Sequence, residues 1–179
     1  PAERGTALHM VMQHIDTTKP INEFSVQKQI DEMVNRELLT IEQAEVVDAN
    51  LIVQFFESKL GKRLMAAAFV KREIPFTMSL PATEVYVDWK DENESIFIQG
   101  VIDCVFGDEK GLVLLDYKTD GITDRFKGGF DQAKPILEDR YRLQINLYKK
   151  AVEKIWRKPI DECYLFFFDG SHIIKLEEE

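Results

Sequence analysis

The chain has 179 residues, of which 45% are hydrophobic and 31% charged, a composition typical of one globular domain rather than a disordered or fibrous chain. No apolar run approaches the roughly 20 residues that span a bilayer, and the N-terminus has no signal-peptide pattern, so we expect a cytoplasmic protein without a membrane partner. The formal net charge is −9, which by itself argues against a nucleic-acid partner.

Basic residues are, however, concentrated in one segment. Residues 118–158 carry 11 basic and 6 acidic side chains, whereas residues 1–117 carry 11 and 20, and residues 159–179 carry 1 and 6. A local basic surface beside an acidic cluster is compatible with phosphate binding. An ordinary solvated helix face explains the same charges, and charge alone favours that interpretation.

The N-terminal part of the chain is predicted to be helical. Apolar residues recur at helical spacing over residues 7–15, and a second helix is predicted over residues 25–37, with Ser25 as its N-cap. A third helix follows Thr40–Gln43, a segment with the sequence of a capping box, and a short helix is predicted over residues 63–69.

Beyond residue 70 the apolar residues alternate with polar ones, which predicts strands. The first of these strands begins at Lys71, and Pro75 predicts that it is irregular or lies at a sheet edge. The elements predicted after it are a weak strand or loop at 84–89, a turn at 91–94, strands at 96–106 and 112–118 joined by a tight turn, a loop at 121–135, a helix at 137–156, and a hairpin formed by 163–168 and 172–176.

This order of elements indicates one domain of mixed α/β class, in which helices flank a central sheet. We expect residues 1–69 to form its helical region and residues 70–179 its sheet core. Since the first helix starts almost at the first residue, we also expect the sequence to be a piece excised from a longer chain.

Two aspartates lie inside the two most apolar predicted strands. Asp103 and Asp116 occupy neighbouring hairpin strands, where cross-strand side chains lie about 5 Å apart. Buried carboxylates are costly unless they are paired or bind a metal, and two adjacent carboxylates repel each other unless a cation lies between them. Oxygen ligands favour magnesium or manganese over zinc. The pair therefore suggests a divalent metal site.

Lys118 lies two residues after Asp116, so both side chains point to the same face of the strand. A lysine there can orient or deprotonate an attacking water, or stabilise charge on a phosphate. An isolated Asp-x-Lys pattern is usually a surface ion pair. With Asp103 at the matching place on the preceding strand, a surface ion pair and a hydrolytic metal site are equally good interpretations.

Five segments in a specific order and spacing carry a resemblance to a known family. They are Arg4–His9, Arg72–Phe76, Gly100–Asp103, Leu115–Asp120 and Tyr141–Tyr148. Together they resemble the RecB-type nuclease domain of the PD-(D/E)xK superfamily, and in particular the C-terminal nuclease domain of AddA-type helicase–nuclease subunits. The sequence departs from the superfamily name at one place, because leucine precedes Asp116 where the name has proline.

The resemblance implies a restriction-endonuclease-like core and a Mg²⁺-dependent deoxyribonuclease, with Mn²⁺ as an alternative cofactor. The implied metal ligands are His9, Asp103, Asp116 and the backbone carbonyl of Tyr117. The implied catalytic residues are Asp116, Lys118, and the Gln144 and Tyr148 of a motif that contacts DNA or supports the site.

Some of these residues also have purely structural interpretations. Taken alone, His9 is more often an ordinary helix histidine, and a tyrosine stripe such as Tyr141 and Tyr148 is usually core packing. Gln144 within that stripe needs hydrogen-bond partners, so functional and structural roles are equally good interpretations. Glu73 is a candidate supporting carboxylate. We interpret two further histidines, His14 and His172, as structural.

The resemblance further implies an exonuclease that acts on single-stranded DNA during double-strand break processing and recombinational repair. Implied partners are the DNA, the helicase portion of the same chain and a second, AddB-like subunit; candidate backbone contacts are Arg140, Arg142 and Lys149. Cys104 and Cys163 are expected to be buried free thiols, too few for the iron–sulfur cluster of AddB-type domains. The alternative is a nuclease-like module that binds DNA or a partner protein without cleavage.

Overall fold

The structure is a computed structural model that describes residues 2–177. Within this range it contains seven helices and five strands. In chain order they are α1 (Ala2–His14), α2 (Glu23–Asn35), α3 (Ile41–Glu45), α4 (Ala49–Glu57), α5 (Lys59–Ala66), β1 (Phe69–Pro81), α6 (Ala82–Val85), β2 (Ser95–Asp108), β3 (Gly111–Lys118), α7 (Gly129–Trp156), β4 (Glu162–Phe167) and β5 (His172–Leu176).

The strands form one mixed sheet in the order β1-β2-β3-β4-β5. Neighbouring strands are antiparallel except for β3 and β4, which are parallel. A parallel pair requires a crossover connection, and the long helix α7 provides it. The predicted mixed α/β class with a central mixed sheet flanked by helices is confirmed.

Each face of the sheet is covered by a hydrophobic cluster. Helices α1–α5 cover one face, where they pack on strand residues such as Cys104 and Phe166. Helix α7 covers the other face, where it packs on strand residues such as Leu114 and Cys163. The two cysteines therefore lie in different clusters. Both are buried free thiols, as predicted.

The first two strands exchange faces at one position. Ile74 and its partner Ile102 belong to the cluster beside α7, whereas Cys104, the partner of Arg72, belongs to the cluster of the N-terminal helices. Residues two apart on a regular strand face the same side, so the backbone must rotate between them. Glu73 has a φ of 51°, a value uncommon for a residue other than glycine, and accounts for this rotation.

The irregularity and the edge position predicted for the first strand are thus confirmed, since β1 is an edge strand. The irregular residue is Glu73 rather than Pro75, which pairs with Val101 in the regular part of the ladder. Asp103 lies directly opposite Glu73, so the candidate metal ligand occupies the place where β1 and β2 exchange faces.

Two helices begin before their predicted first residues, because a capping residue earlier in the chain starts each of them. Asn22 caps α2, and the backbone N–H of Ser25 donates to its side chain. The helix predicted after Thr40 is two helices, because Asp48 begins α4 with a cap of its own; the capping box of Thr40 and Gln43 is confirmed. Ser58 caps α5, which therefore lies earlier than the predicted residues 63–69.

The helix between β3 and β4 starts earlier than predicted. α7 begins at Gly129 and includes Pro135, whereas the glycines and the proline had suggested a loop over residues 121–135. Proline removes one helical hydrogen bond and its ring crowds the carbonyl four residues earlier, and the helix of 28 residues continues through this local defect. Part of residues 84–89, predicted to be a weak strand or loop, lies in the short helix α6.

Among residues 2–177, no helix is long and apolar enough to cross a membrane.

Candidate active site

Asp116 and Lys118 point from β3 towards α7. Asp116 is only 4% exposed, and its Oδ2 lies 2.7 Å from Lys118 Nζ. Lys118 Nζ donates a hydrogen bond of 2.8 Å to Gln144 Oε1, and Gln144 Nε2 donates one of 3.0 Å to the hydroxyl of Tyr148. The structure therefore joins four of the predicted site residues in one chain of polar contacts.

Asp103 is positioned by the end of the β2–β3 ladder. The regular pairing ends at Cys104 and Leu115, one residue before Asp103 and Asp116 would face each other. Beyond it, Asp103 Oδ2 accepts a 2.8 Å hydrogen bond from the backbone N–H of Tyr117. In a strand the N–H and C=O of one residue point to the same side, so the Tyr117 carbonyl points into the same gap between the strands.

His9 reaches this gap from α1. Its Nδ1 donates to the carbonyl of Gly5 at 2.9 Å, and its Nε2 lies 3.1 Å from Asp103 Oδ2. Burial lowers the pKa of His9, but the hydrogen bond and charge of Asp103 outweigh it and raise the pKa to about 9. The Gly5 contact leaves Nε2 as the nitrogen available to a metal, as backbone-anchored histidine ligands require.

Glu73 lies on the same side, where it lines a surface hollow together with residues of α1 that include His9. Burial and then the charge of Asp103 raise the pKa of Glu73, and His9 opposes them. The structure therefore brings this carboxylate near the site, as a supporting role requires.

The buried carboxylate of Asp116 fits a divalent cation. Burial and the charge of Asp103 raise its pKa to about 6, although Lys118 acts in the opposite direction. Its Oδ2 is buried and accepts no hydrogen bond of regular geometry among the described residues, and its close charged neighbour is the Lys118 ammonium at 2.7 Å. A hard cation would satisfy this oxygen and relieve the repulsion between the two carboxylates.

The full predicted ligand set is not assembled. Within residues 2–177, no three side chains of His, Cys, Asp or Glu are grouped as a metal ion would require. Two of the predicted ligands, His9 and Asp103, are instead paired with each other at 3.1 Å. The carboxylate and carbonyl oxygens among the predicted ligands fit a hard cation in type.

One neighbour of Lys118 was not predicted. The ring of Tyr141 lies 3.9 Å from Lys118 Nζ, measured to the ring centre. The hydroxyl of Tyr141 donates to both carboxylate oxygens of Asp120, at 2.9 and 2.7 Å. Two spacings in the sequence could have indicated this contact. Asp120 lies two residues after Lys118, and Tyr141 lies one helical turn before Gln144.

Two glycines allow the elements around the site to approach closely. A Cβ at Gly100 would lie 3.0 Å from the ring of Phe76 and 3.4 Å from that of Tyr148. A Cβ at Gly5 would lie 3.0 Å from the hydroxyl oxygen of Thr119. The motif glycines therefore place α1 and α7 against the ends of the central strands.

The remaining predicted residues lie farther from the metal gap. Arg140 forms an ion pair of 2.9 Å with Asp120, and Arg142 donates to the backbone carbonyl of Glu177 at 3.0 Å. Lys149 is half-buried on α7. His14 is exposed, and His172 stacks on Phe130 with ring centres 4.1 Å apart. These two histidines contact no predicted site residue in the described structure.

Comparison with known proteins finds relatives that match almost the whole chain. The chain is 57% identical over 178 residues to an ATP-dependent helicase/nuclease subunit of Bacillus cereus strain AH187 and to that of Bacillus thuringiensis strain Al Hakam. Each alignment covers 99% of this chain and 14% of the relative, so the chain spans about one seventh of the length of these curated relatives.

The crystal structure of SSO0001 aligns with a TM-score of 0.39 and 12% identity, covering 99% of this chain and 76% of that one, and adds nothing to the assignment at this level of similarity.

The model of the PD-(D/E)XK nuclease superfamily matches residues 1–177, which include every predicted site residue. The resemblance inferred from the sequence is confirmed, and the chain belongs to the PD-(D/E)XK nuclease superfamily.

Proposed function

We propose that this chain is a Mg²⁺-dependent deoxyribonuclease that hydrolyses phosphodiester bonds of single-stranded DNA, with Mn²⁺ able to replace Mg²⁺. One observation carries the proposal: the buried Asp116 carboxylate, with an oxygen that lacks a hydrogen-bond partner among the described residues, lies next to Lys118 and close to Asp103. Such an arrangement is unfavourable in a structural core and suited to a hydrolytic metal centre.

The residues that would hold the cation are His9 through Nε2, the carboxylates of Asp103 and Asp116, and the backbone carbonyl of Tyr117. When bound, the cation supplies Lewis acidity and a hydroxide at neutral pH. The charge of the cation would stabilise the ionised carboxylate of Asp116, in place of a bound proton or the Lys118 ammonium.

Lys118 orients the attacking water and stabilises charge that develops on the phosphate. Gln144 holds the ammonium in place, and Tyr148 in turn fixes the amide of Gln144. Attack in line with the scissile bond forms the new bond from water oxygen to phosphorus and breaks the bond to the 3′ oxygen. The attacking water gives up a proton to the solvent, and the leaving 3′ oxygen takes one up from it and becomes a hydroxyl. The basic side chains of residues 118–158 are suited to following the DNA backbone, with weak sequence preference.

The names of the relatives, which describe them as subunits of an ATP-dependent helicase/nuclease, support a proposal for the biological setting. We propose that residues 1–179 are the single nuclease domain of such a subunit. Its partners would be the helicase portion of the longer chain and a second, AddB-like subunit. The reaction would be exonucleolytic and serve double-strand break processing and recombinational repair.

The test is digestion of end-labelled single-stranded DNA with Mg²⁺, with and without chelator. The wild-type chain should cleave only without chelator, and Asp116→Ala should abolish cleavage while retaining the fold. Asp88→Ala, which changes an exposed aspartate, is the matched control and should cleave normally. Cleavage by Asp116→Ala at the wild-type rate rules out the mechanism, and DNA binding without cleavage by the wild type favours the non-cleaving module.

A second variant separates catalysis from metal binding. Lys118→Ala should bind Mg²⁺ in calorimetry as the wild type does but lose roughly 100-fold or more in rate, as expected for removal of a general acid–base or electrostatic group. Lys28→Ala, at an exposed position on α2, is the control. Loss of Mg²⁺ binding in Lys118→Ala would reassign the lysine to a structural role.

A further inference from the structure

Lys118 is held on three sides. Its ammonium donates to Gln144 Oε1 at 2.8 Å and lies 2.7 Å from Asp116 Oδ2. The third side faces the ring of Tyr141, whose centre is 3.9 Å from Nζ. Lysine has three N–H donors and no acceptor, so the neighbouring oxygens of Gln144 and Asp116 leave at least one N–H available.

The ring of Tyr141 is itself fixed at two points. Its hydroxyl donates to both oxygens of Asp120, and Arg140 binds the same carboxylate at 2.9 Å. Its ring packs against Phe167 of β4, with ring centres 6.3 Å apart. Burial and then the Asp120 hydrogen bond raise the pKa of Tyr141 to about 12, so the ring stays a neutral phenol at physiological pH.

A neutral aromatic face suits a lysine that must donate to a reacting group. A carboxylate or amide on the third side would take up another N–H and compete with water. A ring face attracts the ammonium through its quadrupole without fixing an N–H in one direction. The lysine is therefore retained in the site while the ring leaves an N–H available for the reacting group.

We infer that Tyr141 is a positioning residue for the catalytic lysine and acts through the face of its ring, while Asp120 binds its hydroxyl; this inference rests on the proposed function of Lys118. Helix α7 thus supplies a second direct contact to Lys118, from Tyr141, one helical turn before Gln144. Tyr141 acts through Lys118 and is not assigned a contact with DNA.

The kinetic test compares Tyr141→Leu, which removes the ring, with Tyr141→Phe, which keeps it. Tyr141→Leu should lower kcat roughly 3- to 30-fold, the range that corresponds to a cation–π contact, and leave KM for single-stranded DNA within about two-fold. Tyr141→Phe should keep most of the activity. Tyr86→Leu, at a tyrosine that is 51% exposed and remote in sequence from the site, is the control.

A double variant shows whether the effect passes through the lysine. In the Lys118→Ala background, Tyr141→Leu should cause no further loss beyond about two-fold, because residues that act as one unit are not additive. An additive loss, or equal losses in the Leu and Phe variants, overturns the inference. If Lys118→Ala itself retains full activity, the proposed function fails instead.

A spectroscopic test needs no catalysis. The ring current of Tyr141 should shift the NMR signals of the Lys118 methylene protons next to the ammonium upfield, and Lys118→Arg identifies these signals. The shift should persist in Tyr141→Phe and disappear in Tyr141→Leu. Signals of the wild type at random-coil positions, or unchanged in Tyr141→Leu, contradict the contact even if the chain proves inactive.

Discussion

His9 Nε2 lies 3.1 Å from Asp103 Oδ2, so two side chains proposed as ligands of one cation are hydrogen-bonded directly to each other. They come from α1 and β2, 94 residues apart in the chain. The pair therefore couples the packing of the N-terminal helix to the protonation of the site.

The first prediction concerns stability in chelator as a function of pH. The pKa of His9 is raised from 6.5 to about 9 in the folded chain, because the hydrogen bond and charge of Asp103 outweigh the opposing effect of burial. A histidine with a raised pKa contributes stability that is complete below pH 6.5 and is lost as pH rises towards 9. Urea unfolding at several pH values should show this loss for the wild type and a flatter profile for His9→Gln. Parallel profiles for the two proteins would mean that the pair of His9 and Asp103 contributes nothing to the pH dependence of stability.

The second prediction concerns the charge on Asp116. Burial and Asp103 raise its pKa from 3.8 to about 6, so the ionised carboxylate destabilises the folded chain above pH 6, and the penalty disappears as pH falls below about 4. Asp116→Asn removes the charge at constant size. In chelator it should raise the free energy of unfolding at about pH 7.5 by about 1 kcal/mol or more, with less effect at about pH 5.

The measurement is thermal unfolding, in which a gain of about 1 kcal/mol raises Tm by about 2–4 °C in a chain of this size. Asp88→Asn, at an exposed aspartate, should leave Tm unchanged. A lower Tm for Asp116→Asn would show that the ion pair with Lys118 outweighs burial. The same variant should lose cleavage, so stability and activity change in opposite directions.

Much of this site follows from the sequence because its determinants are local. Asp116 and Lys118 share a face through the period of two of a strand, and Gln144 and Tyr148 share one through the turn of a helix. The cap of Thr40 and the turn after Phe168 depend on residues that are adjacent in the chain, so they too were predicted.

The remaining features depend on contacts between distant segments. The face exchange at Glu73 arises from a positive φ that no residue type in this stretch signals. The pairing of His9 with Asp103 depends on how α1 packs against the sheet. The start of α7 was missed because Pro135 and the glycines before it have weak helix propensity, which tertiary packing against the sheet overrides.

The third prediction compares the loss of kcat on substitution of Gln144 and of Tyr148, the two residues that support Lys118. Gln144→Leu keeps the size of the side chain but removes the acceptor of the lysine hydrogen bond, a bond to a charged group. Such bonds contribute about 1.5–3 kcal/mol, so kcat should fall roughly 10- to 100-fold. Tyr148→Phe removes only the acceptor for the Gln144 amide and should cost less. Steady-state kinetics in which Tyr148→Phe is the more damaged variant would indicate that Tyr148 contacts DNA directly.

The last prediction concerns the space at Gly100. A Cβ there would lie 3.0 Å from Phe76 and 3.4 Å from Tyr148, which is tighter than ordinary van der Waals contact. Gly100→Ala should therefore displace the ring of Phe76 and, through it, the ring of Tyr148, which packs on Phe76 with ring centres 5.4 Å apart. Such overpacking should destabilise the chain by about 1–3 kcal/mol. Because Tyr148 fixes Gln144, kcat should fall as well.

Gly121→Ala is the matched control, since its Cβ would meet only the side chain of Arg125, at 3.8 Å. Neither glycine has a positive φ, so the two substitutions differ in crowding and not in backbone strain. Thermal unfolding and DNA cleavage measured on both variants separate the two effects. If Gly100→Ala lowers Tm but leaves kcat unchanged, the ring of Tyr148 can move without disturbing Lys118, and the proposed support of the lysine by Tyr148 through Gln144 is wrong.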